Sequence, residues 1–286
     1  MTFANLDFTS ILLRSAVYIA TIAMAGGIFF YATVRGAEGL IRTIRIQIWM
    51  GAALLLVVEP LRYLHFQLAI GGGTWDVAFD PAMRWMAFET PFGQAALVRM
   101  VSALVLVIAG LHLWPVAIGA AAAMVGSFAL EGHTASHDGG GLLPAALIFM
   151  HLAMVHWWLG ALYPLRAATL TATNGNLSDL VERFGKLALP AVVVLTGAGA
   201  LLVAILGGWQ VDPKRNHQLA FAAKLAIFAV ILIIAAANKL RWTPMLVTAP
   251  EAGRTGLRSS LNWEITFCGL ILFATAIMTS FPPVPE

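Results

Sequence analysis

Charged side chains are scarce in this chain: Asp, Glu, Lys and Arg make up 11% of its 286 residues, where a soluble domain carries about 25%. With 60% hydrophobic residues, the composition excludes an ordinary soluble protein and implies an integral membrane protein. Cysteine is almost missing as well. The single Cys268 lies inside an apolar run, which rules out an intramolecular disulfide and a thiolate metal cluster. Any metal ion must therefore be held by His, Met, Asp or Glu. No Walker A loop, dinucleotide fingerprint or HExxH motif is present, so ATP-driven coupling is not indicated. The net charge is only +3. Its basic residues are spread over short loops without a run or patch, which speaks against nucleic acid and for membrane topology. The opening MTFANLD holds no Lys or Arg, and the apolar run behind it continues to Val34. That run is too long for a signal-peptide core, and we read it as a retained first helix.

What is abundant is the apolar span. Against a requirement of about 20 residues per crossing, eight stretches qualify, at 12–34, 44–66, 94–113, 115–131, 142–165, 185–208, 218–239 and 261–281. Each is expected to be helical, because the bilayer core offers no water to backbone groups. The expected fold is an all-α polytopic bundle of about eight transmembrane helices. Pro60, Pro144 and Pro190 are expected near helix ends, where proline costs least. Arg35, Arg42 and Arg45, then Arg166, Arg183 and Lys186, then Lys239, Arg241, Arg254 and Arg258 fall in alternate connections. By the positive-inside rule these face the cytoplasm, so both termini are expected to be periplasmic. The connection 132–141 then becomes an outer loop, and the helix after it descends inward. The longest connection, 67–93, is expected at the outer interface.

Within EGHTASHDGGGLLPAALIFMHLAMVHWWLG, residues 131–160, stand four of the seven histidines. His133 and His137 are spaced i, i+4, so on a helical backbone they share a face suited to one metal ion. Asp138 adds an oxygen beside them, and a plain solvated loop is the alternative. His151 and His156 fall roughly 14 and 21 Å below the outer end of their span at ~1.5 Å per residue. Ionisable groups at such depth face the bundle interior or an ion path; a neutral imidazole bonded to a neighbouring helix is the competing reading. The two rings point ~140° apart, which favours successive stations over joint chelation. Met150 and Met154 lie close to the His151 face and add thioethers, a ligand set with imidazole that suits Cu(I), although methionine is also ordinary helix filler.

Near the outer end of the second span, Glu59 and Arg62 form an i, i+3 pair expected to be structural. His65 can join an outer metal site with His133 and His137. Arg14, Arg99 and Lys224 are expected to snorkel from outer helix ends, and Glu264 to be interfacial. His112 and His217 have no evident partner in the sequence.

The stretches GHTASH…HLAMVHWWLGALYPL, ERFGKLALPAVVVLTGAGALL, LAFAAKLAIFAVILIIAAANKLR and LRSSLNWEITFCGLILFATAIMTSFPP, with FETPFGQAALVRM upstream, resemble the bacterial copper-resistance protein D family of inner-membrane proteins. The resemblance covers nearly the whole chain as one transmembrane unit, 1–286, and is strongest over 126–281. It implies eight transmembrane helices and movement of copper from periplasm to cytoplasm, in some systems alongside a periplasmic CopC-like carrier. No such carrier domain is appended here, so a carrier would be a separate chain. The resemblance carries the family's GH loop onto His133 and a deep histidine onto His151, with Trp158 and Gly160 following. It matches the Lys and Glu of the last helices to Lys224 and Glu264. His156 rests on its depth alone. The expected function is thus a copper permease with ligands His133, His137, His151, His156, His65, Met150 and Met154, and no enzymatic activity. The alternative from another class is a b-type haem redox protein with bis-histidine ligation; a copper-binding sensor or assembly factor without transport is a third.

Overall fold

The structure, a computed structural model, describes residues 7–131, 142–206 and 216–280. Eight long helices follow one another: α1 (Phe8–Thr33), α2 (Ala37–Ile70), α3 (Pro91–Ala109), α4 (Trp114–Leu130), α5 (Leu142–Thr171), α6 (Asn174–Leu206), α7 (Gln218–Thr248) and α8 (Pro250–Met278). Seven are long and apolar enough to cross a membrane, and α4 is shorter. No strand occurs among the described residues. The molecule is a multi-pass membrane protein.

The ends of the helices are set by recognisable chemistry. Asp7 caps α1 by accepting from the backbone N–H groups of Thr9 and Ser10. Thr90 caps α3 with Pro91 at its first position. Guanidinium groups satisfy two helix C-termini: Arg14 donates to the Thr279 carbonyl after α8, at 2.6 Å, and Arg254 donates to Thr169 and Ala172 at the end of α5. Gly110, with φ +52°, makes the turn from α3 into α4.

Several helices run beyond the lipid-length stretches. α6 begins at Asn174 and α8 at Pro250, each eleven residues before the apolar run. Pro60 and Pro190 consequently lie inside α2 and α6 rather than near their ends, and Pro164 lies inside α5. Only Pro144 keeps its expected place, in the first turn of α5. Connection 67–93 carries two short helices, Trp75–Ala78 and Pro81–Glu89. Exposed Trp75, Phe79 and Trp85 stud it, as suits a segment lying at a membrane interface.

α5 is the hub, packing against α6, α8, α4 and the middle of α1. Where α1 crosses it, residues Ile22–Gly26 take a π-helical turn, and Gly26 meets Gly160 closely. A wider turn of this kind leaves carbonyls poorly paired. Gln47 of α2 repairs the damage: its Nε2 donates to the Ala23 carbonyl at 2.9 Å and to the Gly160 carbonyl at 3.0 Å. The second acceptor is free for a separate reason. Pro164, four residues on, has no N–H to give it.

Candidate functional site

Besides the Gln47 bridge, three groups of buried polar side chains stand out among the described residues. The first is an ion cluster among α2, α3 and the end of α4. Arg99 is fully buried; its Nε and Nη2 donate to Glu59 Oε1, Nη2 also reaches Glu131 Oε1, and Nη1 donates to Ser127 at 3.3 Å. Arg62 completes the box with Nη2 donating to Glu131 Oε2 at 2.8 Å. The expected Glu59–Arg62 pair is present at 3.6 Å, but each residue has a shorter bond to another helix. Arg99 does not snorkel; two carboxylates compensate it in place. Burial by itself would raise the Glu131 carboxyl, but Arg99 and then Arg62 outweigh it and hold it below the usual carboxylate range. The Arg99 guanidinium lies 5.2 Å over the Phe128 ring, which also meets the Tyr18 ring at 5.7 Å and the His156 ring at 6.1 Å between centroids.

The second place is the pair of deep histidines. His156 Nδ1 donates to the Leu152 carbonyl at 2.7 Å, and its Nε2 lies 3.2 Å from the Thr21 hydroxyl of α1. His151 Nδ1 donates to the Leu195 carbonyl of α6 at 3.0 Å. A carbonyl can only accept, so in each ring the proton sits on Nδ1 and a neutral imidazole keeps its lone pair on Nε2. Metal-binding histidines are characteristically oriented by such a bond. The rings leave α5 toward different helices, in line with the wide angle expected between them. Met154 packs against the core, whereas Met150 is 44% exposed.

The third place is Glu264, buried where α5, α7 and α8 meet. It is 2% exposed and lies about 21 Å along α8 from Pro250. Its Oε1 accepts from Trp158 Nε1 of α5 at 3.0 Å, and its Oε2 from Asn238 Nδ2 of α7 at 2.8 Å. Asn238 opens a second π-helical stretch, Asn238–Trp242. Cys268, one turn beyond Glu264, is buried and unpaired in any disulfide.

The remaining predicted residues are dispersed. His65 Nε2 pairs with Asp7 at 2.8 Å, tying the start of α1 to the C-terminal part of α2. His112 bonds Arg45 at 2.7 Å, a partner invisible in the linear sequence. His133, His137 and Asp138 lie outside the described residues, so the outer half of the predicted site does too. Among the described residues, no group of three or more His, Cys, Asp or Glu is gathered to hold a metal. Each of the four described histidine rings bonds a different partner, and no observation supports bis-histidine haem.

With this arrangement in view, comparison with known families is decisive. The family model described as copper resistance protein D-like, N-terminal domain, matches residues 5–143, and that described as copper resistance protein D matches residues 178–278. The chain belongs to the copper resistance protein D family. Membership supplies a copper-handling role in a membrane setting, which agrees with the absence of thiolate chemistry and the presence of deep imidazoles. No curated protein and no solved structure matches the chain significantly.

Proposed function

We propose that this protein is a copper permease of the bacterial inner membrane, carrying copper from the periplasm toward the cytoplasm as a single transmembrane unit, with both termini and the 132–141 connection on the periplasmic side. His133 and His137, with His65 or Asp138, receive the ion at the outer face. His151 and His156, helped by Met150 and Met154, are the inner stations. A separate CopC-like chain can deliver the cargo, and the protein acts as a carrier rather than an enzyme.

The observation that supports this most directly is the shared orientation of the two deep rings. Each spends Nδ1 on a backbone carbonyl, which leaves the lone pair on Nε2 for a cation, in His156 by displacing the Thr21 hydroxyl. A neutral imidazole binds a soft cation without adding charge to the hydrocarbon layer. Separated single-residue stations bind weakly enough to release, which a multi-site pathway requires. Copper uptake into vesicles holding the purified protein tests the reading. Wild type should accumulate copper, and the His133→Ala, His137→Ala double variant and His151→Ala should each reduce uptake at least tenfold with normal membrane insertion. Undiminished uptake in these variants would take the histidines off the route.

A further inference from the structure

Glu264 poses an electrostatic problem that the histidine stations do not solve. It sits deep inside α8, 2% exposed, and no Lys, Arg or His among the described residues forms an ion pair with it. An ionised carboxylate taken out of water without a cation is heavily penalised. Its two partners are neutral donors, Trp158 and Asn238, and they differ in kind. Indole N–H can only donate, whereas a primary amide can donate through nitrogen or accept through oxygen. The amide oxygen of Asn238 is itself buried with no donor bonded to it.

We propose that Glu264 and Asn238 form a proton-binding site buried between α5, α7 and α8, and that copper entering the protein is balanced by a proton leaving it; the second half rests on the permease reading above. In the ionised state, Glu264 accepts from Trp158 and from the Asn238 amide nitrogen, as the structure has it. When a proton from water binds Oε2, the amide turns by half a rotation. The new O–H then donates to Asn238 Oδ1, while Oε1 keeps the Trp158 bond. Both states are fully bonded at the carboxyl, and the group whose turning links them sits on the π-helical stretch of α7. The arriving cation supplies the positive charge that the proton gave up.

The titratable neighbours do not compete for this role. Cys268 lies one turn on along α8. On α5, the His151 and His156 rings are bonded to Leu195, Leu152 and Thr21. On α7, Lys239 reaches away to the Gly185 carbonyl, and Lys224 is fourteen residues, about 21 Å, along the helix. Arg14 of α1 is engaged with Thr279, and Arg166 with Asn262.

The experiment has two arms. Infrared spectra of the full-length protein in lipid nanodiscs, titrated without copper, should contain a carboxylic-acid C=O band that appears reversibly on acidification. Glu264→Gln should remove it and Asn238→Leu should shift it. Glutamine reproduces the protonated hydrogen-bond pattern, so this variant should fold. Acid spectra in which Glu264→Gln removes no band overturn the proposal. In vesicles with a trapped pH indicator, wild-type copper uptake should be accompanied by proton counterflow, and Glu264→Gln should lose that counterflow and its pH dependence. Counterflow that is unchanged in Glu264→Gln also overturns it. Wild-type vesicles that take up no copper sink the permease reading instead, and the infrared titration then decides the proton site alone.

Discussion

Gly26 of α1 and Gly160 of α5 touch backbone to backbone. A Cβ on Gly26 would lie 2.7 Å from the Gly160 Cα, and one on Gly160 would lie 2.5 Å from the Gly26 carbonyl carbon. Neither obstacle is a flexible side chain, so the helices themselves must separate. Small residues at crossings are how membrane helices gain van der Waals contact where lipid supplies no hydrophobic drive. Gly160→Ala should therefore destabilise the protein by about 1–3 kcal/mol, the usual cost of overpacking, read as a lower unfolding temperature in detergent. Gly119, where an added Cβ meets nothing within 4 Å, is the control, and Gly119→Ala should leave that temperature unchanged.

The Arg99 cluster behaves as a unit in which two cations hold two carboxylates out of water. Arg99→Leu leaves Glu59 and Glu131 to share the single cation Arg62, and breaking a buried pair from one side costs about 3–5 kcal/mol. Replacing Glu59 and Arg99 together by leucine should cost much less than the sum of the single changes. Acid should weaken the cluster in a defined direction. Glu131 is held below its ordinary value of 4.5, so its contribution is complete above that pH and is lost as the pH falls through the lower folded value. Thermal unfolding followed below pH 4.5 should show this loss in wild type and not in Glu131→Gln.

Helix number is legible in this sequence because apolar run length reports directly on bilayer thickness. The helix ends are not legible, since the turns that protrude from the lipid are polar and leave no hydropathy signal. That blindness hides how much helix precedes Glu264: the apolar run begins only three residues before it, whereas α8 begins at Pro250 and packs Glu264 against Trp158 and Asn238. An acid residue in an otherwise apolar stretch is nonetheless a visible signal. The roles of Gln47, Thr21 and Asn238 are invisible beforehand, because each is defined by a partner on another helix, up to 135 residues away for Thr21 and His156. The place of His151 and His156 within an apolar run is legible, but not their direction. That His151 faces α6 while His156 faces α1 depends on how the helices pack around α5.

Nitrogen NMR of the protein with isotope-labelled histidine tests the tautomers. At neutral pH the His151 and His156 resonances should each show a protonated Nδ1 and a bare Nε2, assigned through His151→Gln and His156→Gln. Silver ion, a redox-inert soft cation, should then shift the Nε2 signals and leave Nδ1 protonated. A protonated Nε2 with a bare Nδ1 in either ring would contradict the carbonyl bonds from which the ligand assignment follows.

Gln47 and Pro164 are coupled through one oxygen. Gln47 Nε2 bridges the Ala23 and Gly160 carbonyls, the first loosened by the π-helical turn and the second deprived of its donor by proline. Gln47→Leu removes both hydrogen bonds in a place where water cannot replace them, so each stranded carbonyl costs about 1–3 kcal/mol. Pro164→Ala restores an N–H four residues beyond Gly160, which can close the ordinary helical bond. Placed in the Gln47→Leu background, it should recover the Gly160 share of the loss while leaving the Ala23 share. In the wild-type background it should gain little, because Gly160 is already bonded. A double-mutant cycle on unfolding free energies reads the coupling. Strict additivity would mean that Gln47 does not stand in for the bond that proline removes, and that α5 tolerates the open carbonyl by some other means.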